Sequence, residues 1–103
     1  MTVEIEILTK NLELTDDIRK SLTKKATKLN RFLKQIDKTR IDLSFTKSAR
    51  DADDRYIAQI TLRGRGFILR AEERAKNIRS AIDQVIDKIQ RKIERYKGKR
   101  FRS

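Results

Sequence analysis

Residues 56–71 read Tyr56-Ile57-Ala58-Gln59-Ile60-Thr61-Leu62-Arg63-Gly64-Arg65-Gly66-Phe67-Ile68-Leu69-Arg70-Ala71. Tyr56, Ala58, Ile60 and Leu62 recur with a period of two, and Phe67, Leu69 and Ala71 resume it after the glycines. That pattern predicts two half-buried strands joined by a tight turn in which glycine can take a positive φ. From about residue 72 the period changes. Ile78, Ile82, Val85, Ile89, Ile93 and Tyr96 form one long stripe at helical spacing, ending near Gly98.

The partners that cover these apolar faces lie upstream. Thr2-Val3-Glu4-Ile5-Glu6-Ile7 alternates and predicts a first strand with Val3, Ile5 and Ile7 facing inward. Thr15 is placed as an N-cap, and Asp16 and Asp17 suit the positive end of a helix over about 16–34. Its apolar positions are Ile18, Leu22, Ala26, Leu29 and Leu33. Ile41, Leu43 and Phe45 alternate again and predict a strand near 40–47. Residues 48–54, Ser-Ala-Arg-Asp-Ala-Asp-Asp, read as a solvated loop. The order is therefore β-α-β-β-β-α, an α+β domain with a largely hairpin-connected, four-stranded sheet and both helices on one face. We expect one domain over residues 1–97 and a basic tail over 98–103 that is mobile unless bound.

The composition narrows the chemistry. The chain has 103 residues, no cysteine and no histidine. A disulfide framework, a thiolate metal site and the usual neutral-pH general base are all missing. No apolar run reaches membrane-spanning length and the N-terminus lacks a secretory pattern, so a cytoplasmic protein without cofactor or metal is expected. Charge is more informative. Lysine and arginine number 27 against 15 acids, a net charge of +12. An excess of this size points to a polyanion, because each neutralised phosphate releases condensed counterions.

The excess is distributed unevenly. Residues 1–15 carry a net −2, 16–40 a net +6, 41–71 a net +2 and 72–103 a net +6. The helical layer therefore holds almost all of the positive charge. At about 100° per residue, Lys20, Lys24, Lys28 and Arg31 share one sector of the first helix. On the second, Lys88, Arg91, Lys92, Arg95 and Lys99 take one flank, and Asp83, Asp87, Gln90 and Glu94 the other. Arg79, Lys97 and Arg100 add cations along the same helix and tail. Successive turns present cations about 5–6 Å apart, a spacing that follows a nucleic-acid backbone. A solvated face is the bland reading of any one such stripe; two in one layer favour RNA.

The aromatic residues point away from single-strand stacking. Phe45, Tyr56 and Phe67 fall on inward strand positions and Phe32 borders the first helical stripe, so core packing is expected of them. Phe101 in the tail is open equally to stacking and to a contact with its own domain. Recognition of structured RNA by shape and backbone is favoured over base-by-base readout.

The stretches Leu69-Arg70-Ala71-Glu72-Glu73, Ser80-Ala81-Ile82-Asp83 and Asp87-Lys88-Ile89-Gln90-Arg91-Lys92-Ile93-Glu94-Arg95-Tyr96-Lys97-Gly98-Lys99 resemble the ribosome hibernation promoting factor and ribosome-associated inhibitor family. Leu14-Thr15-Asp16-Asp17-Ile18-Arg19 and Lys28-Leu29-Asn30-Arg31-Phe32 are similar to the family's first helix, so the likeness spans nearly the whole chain. The resemblance implies a sheet with two roughly parallel helices on one face, similar to double-stranded RNA-binding domains. It also implies binding to small-subunit ribosomal RNA, beside neighbouring ribosomal proteins, in the channel used by messenger and transfer RNA. Occupancy there would inhibit translation under stress or in stationary phase. The basic positions carried over are Lys24, Lys28, Arg31, Lys88, Arg91, Lys92 and Arg95. Asn77-Ile78-Arg79 departs from the Asp-Met-Tyr-like segment common in the family, though Asn77 can still cap a helix. Long members continue into a C-terminal dimerisation domain, and the resemblance fits both a short member and the N-terminal domain of a long one.

Three other readings compete. Asp51, Asp53 and Asp54 could bind magnesium in an enzyme, but a polar loop without a phosphate-binding motif argues for solvation instead. A general structured-RNA binder would show the same charge pattern. A protein-interaction module, which older naming in the family as a sigma-factor modulator suggests, should expose an apolar patch. Only Ile57 and Ile68 qualify. The open face of the sheet, with Glu4, Glu6, Asp42 and Thr61, reads as mixed and hydrophilic. Reversing Lys88 and Lys92 to glutamate is expected to abolish subunit binding with the fold intact.

Overall fold

The computed structural model describes residues 4–47 and 55–101, with side chains in the last helix as far as Gly98. The elements are β1 (Glu4–Lys10), α1 (Asp16–Phe32), β2 (Ile36–Phe45), β3 (Tyr56–Gly64), β4 (Phe67–Ala75) and α2 (Ile78–Phe101). This is the predicted β-α-β-β-β-α order. The strands lie side by side in sequence order. β1 runs parallel to β2, with α1 as the crossover between them. β2–β3 and β3–β4 are antiparallel.

Period-two alternation decides which face is buried. Ile7, Ile41, Ile60 and Ala71 form one cross-strand row, and Ile5, Thr39, Leu62 and Leu69 the next. Against these rows α1 buries Ile18, Leu22, Ala26 and Leu29, and α2 buries Ala81, Ile82, Val85, Ile89 and Ile93. Each large side chain so buried stabilises the fold by about 1.5–3 kcal/mol relative to exposure. Both helices therefore cover one face and leave the other open.

Local signals set the element ends. The Thr15 hydroxyl accepts the Ile18 amide at 3.3 Å, and the Asn77 side-chain oxygen accepts the Ser80 amide at 2.8 Å. Both N-caps were expected from the sequence. Gly66 takes φ +82° in the β3–β4 turn. Asn11 takes φ 60° at the exit of β1, and its amide donates to the Phe45 carbonyl at 3.4 Å. Asparagine tolerates this left-handed backbone where most residues do not. Phe45 pairs with Tyr56 at 5.0 Å between ring centres, and Phe67 with Tyr96 at 4.9 Å. Tyr56, Phe67 and Tyr96 pack against the core, as expected of Tyr56 and Phe67, whereas Phe32, expected to pack as well, is exposed at the end of α1.

The boundaries differ in five places. β2 begins at Ile36, not near 40, because an irregularity between Ile36 and Lys38 breaks the alternation. Ile36 and Thr39 both point inward, an odd interval that a period of two cannot register. β4 continues to Ala75 where a helix was expected from 72, since Glu72, Glu73, Arg74 and Ala75 pair with Gln59, Ala58, Ile57 and Tyr56. α1 stops at Phe32, with Leu33 as its C-cap. β1, described over Glu4–Lys10, continues past the predicted end at Ile7; Thr2 and Val3 lie outside the described residues. The helical backbone of α2 passes through Gly98 to Phe101, so the first residues of the expected tail extend the helix. The 48–54 loop, with Asp51, Asp53 and Asp54, lies outside the described residues. No helix among the described residues is long and apolar enough to cross a membrane.

Candidate nucleic-acid interface

The α1 stripe is the simplest part of the site. Ile18, Leu22, Ala26 and Leu29 turn one side of the helix into the core, which sends Lys20, Lys24, Lys28 and Arg31 to the opposite side. All four are exposed. None takes part in an ion pair among the described residues. Arg31 lies in the last turn, where the helix dipole favours a cation. Four uncompensated cations on a rigid rod form a ready counter-surface for phosphates, with little ordering entropy to lose on binding.

α2 is more complicated than its sequence suggests. Arg91 and Arg95 are exposed and unpaired among the described residues. Lys88 and Lys92 are half-buried and occupied by the sheet. Lys88 lies 3.3 Å from the Glu73 carboxylate and donates to the Glu72 carbonyl at 3.3 Å, while Lys92 donates to the Arg70 carbonyl. The basic flank of α2 is therefore turned toward the outer edge of β4. These contacts tie Lys88 and Lys92, both expected to bind RNA, to the edge of β4, so reversing their charge acts on the fold as well.

The other flank of α2 faces α1, fixed there by an ion pair at 3.5 Å between Lys25 and Asp83. Arg79 lines a small cleft between the helices with Ser21, Lys25 and Asp83. Helical spacing puts Lys97 on the same side as Arg79, away from Arg91 and Arg95. Asp83, Asp87 and Glu94 therefore form an acidic ridge between the α1 stripe and the basic flank of α2. The two stripes share a layer but are not contiguous. Lys99 and Arg100 continue the backbone of α2; their side chains lie outside the described set.

The open face of the sheet carries cations that the sequence reading overlooked. Because β2 begins early, Lys38 and Arg40, counted with the exit of α1, belong to this face. Lys38 is directly opposite Arg63, and Thr61 lies between Arg40 on one side and Arg70 on the other. Glu6 lies 3.7 Å from Lys38 and 3.9 Å from Arg40, and Asp42 lies 3.2 Å from Arg40. Arg63 and Arg70 are exposed and have no ion pair among the described residues. Parity with the inward residues Ile41, Leu62 and Leu69 was the signal that could have found them, since each cation lies one residue from an inward position. These side chains border an open hollow of about 590 Å³ into which the exposed Ile68 also projects.

Comparison with known proteins gives one consistent result. A model of the family described as Sigma 54 modulation protein / S30EA ribosomal protein matches residues 5–100. A protein named ribosome hibernation promotion factor from Picosynechococcus sp. is 35% identical over 95 residues, which cover 88% of this chain and 47% of that protein. This chain thus spans about half the length of that relative. A ribosome hibernation promoting factor from Salmonella typhimurium is 28% identical over 97 residues, covering 94% of this chain and 96% of that one. Among solved structures, the N-terminal domain of Thermus thermophilus Protein Y superposes with a TM-score of 0.75 at 26% identity, covering 91% of this chain and 99% of that domain.

Proposed function

We propose that this chain, which belongs to the Sigma 54 modulation protein / S30EA ribosomal protein family, is a cytoplasmic ribosome hibernation factor domain. It binds ribosomal RNA of the small subunit in the channel used by messenger and transfer RNA, and by excluding both it inhibits translation. The observation that carries this reading is the α1 stripe. Lys20, Lys24, Lys28 and Arg31 are exposed with no counter-ion among the described residues, whereas Lys88 and Lys92 of α2 are engaged by the edge of β4. Arg91 and Arg95 supply a second contact on α2, Lys99 and Arg100 add to it at the end of that helix, and Arg79 and Lys97 contribute from its other side. Both relatives named above carry hibernation factor names, which supports the ribosome as the polyanion.

Backbone recognition follows from the side chains available. The lysines act as point charges on phosphates, and Arg31, Arg91 and Arg95 can hold a phosphate bidentately. Affinity on this basis falls steeply with salt. Co-sedimentation with purified small subunits at low and raised salt, with an unrelated RNA duplex as competitor, tests the reading. Saturable binding that survives the competitor and inhibits translation in vitro supports it. Binding that the duplex removes leaves a general structured-RNA binder.

A further inference from the structure

We propose that the open face of the sheet, centred on Arg63 and Arg70, is a second RNA-backbone surface, so that the module is gripped by RNA on both of its faces. The inference rests on the RNA-binding reading above and goes beyond it, because the helical layer alone was expected to make contact.

Four observations carry it. First, Lys38 and Arg63 occupy directly opposite positions on β2 and β3. Like charges so placed oppose sheet formation, and an anion laid over them turns that repulsion into attraction. Second, the acids of this face do not neutralise it evenly. Glu6 and Asp42 are drawn to Lys38 and Arg40, and Glu72 lies 3.7 Å from Arg74. Arg63 and Arg70 remain uncompensated among the described residues. Third, the face is hollow, and its walls include Lys10, Arg40, Arg63 and Arg70. A convex strand of phosphates fits such a surface better than a flat protein face does. Fourth, Ile68 is 56% exposed beside these arginines, where a ribose or base edge can cover it.

The sheet surface is also joined to the helical one. Lys92 and Lys88 bind the β4 edge at Arg70 and Glu72, and the Arg70 side chain lies on the open face of that same edge. Positive charge therefore runs from Arg91 and Arg95 around β4 to Arg70 and Arg63. The acidic ridge of α2 separates this belt from the α1 stripe. Two separate basic surfaces suit two RNA segments better than one.

The experiment compares the intact chain with an Arg63→Gln/Arg70→Gln variant in binding to small subunits over a salt series. The side chains are exposed, so the fold should survive; circular dichroism checks this. Loss of two phosphate contacts is expected to lower the slope of log affinity against log salt by about 2 and to weaken low-salt binding at least about tenfold. A photo-reactive side chain in place of Ile68 should cross-link to RNA. Unchanged affinity and slope, or cross-links confined to a ribosomal protein, would overturn the inference while the α1 reading stands. If the intact chain itself fails to bind subunits, the functional reading falls and this inference with it.

Discussion

Lys92 on α2 donates to the backbone carbonyl of Arg70 on β4, and Lys88, one turn earlier, donates to the carbonyl of Glu72. The two spacings match. Four residues of helix rise about 6 Å, and two residues of strand span about 6.7 Å, so an antiparallel helix and strand stay in step over this interval. β4 is an edge strand, and its outward carbonyls would otherwise be open to a further strand. The lysines fill that edge and place the basic flank of α2 beside it.

These contacts separate two pairs of cations that look equivalent in the sequence. Lys88→Glu with Lys92→Glu should destabilise the fold by about 1–2 kcal/mol, as two hydrogen bonds are replaced by carboxylates facing carbonyls and Glu73. Arg91→Glu with Arg95→Glu should change stability by less than about 0.5 kcal/mol yet weaken subunit binding. Urea denaturation alongside co-sedimentation of both variants checks the distinction. Equal stability for the two would show that the edge contacts contribute nothing.

Thr39 is fully buried on the inward face of β2, and its hydroxyl has no hydrogen-bond partner among the described residues. Thr39→Val should therefore raise stability by about 1 kcal/mol, since it removes an unsatisfied polar atom at nearly constant volume. A fall in the urea midpoint would mean that the hydroxyl is bonded in solution.

The glycines should respond with different signs. At Gly64 the Phe67 ring and the Gln35 carbonyl already occupy the space of a Cβ, so Gly64→Ala should cost about 1–3 kcal/mol. At Gly98, within α2, nothing among the described residues lies within 4 Å of a Cβ, and Gly98→Ala should gain about 0.5–1 kcal/mol. Thermal denaturation of the two variants reads both signs directly.

Removing the acidic ridge should strengthen binding. Asp87→Asn with Glu94→Gln eliminates two carboxylates that stand between the α1 stripe and α2, neither paired among the described residues. RNA affinity should rise at low salt and converge with that of the parent chain near 1 M, where screening extends over only about 3 Å. An unchanged low-salt affinity would mean that RNA does not approach the ridge.

Much of this architecture was legible because local chemistry and period agree. Thr15 and Asn77 cap the helices they were expected to cap, Gly66 takes the positive φ that its turn requires, and the Ile78–Tyr96 stripe faces the core. The failures have two causes. The irregularity between Ile36 and Lys38 shifts the phase of β2, and the inward Glu73, satisfied by Lys88, hides the end of β4 behind a charge. The first error left strand residues in the exit of α1, and the second assigned them to α2. Charge counted by segment then placed on the helical layer what belongs in part to the sheet. Nor could helical spacing alone reveal that Lys88 and Lys92 meet a strand edge while Arg91 and Arg95 remain free.

The central claim is that the α1 stripe binds the small ribosomal subunit. Its most direct test is co-sedimentation of Lys24→Glu/Lys28→Glu with purified small subunits, beside the parent chain and with excess unrelated duplex RNA. Neither lysine has a partner among the described residues, so stability should hold within about 0.5 kcal/mol while subunit binding is lost and translation resumes. Retained, competitor-resistant binding by the folded variant would contradict the account.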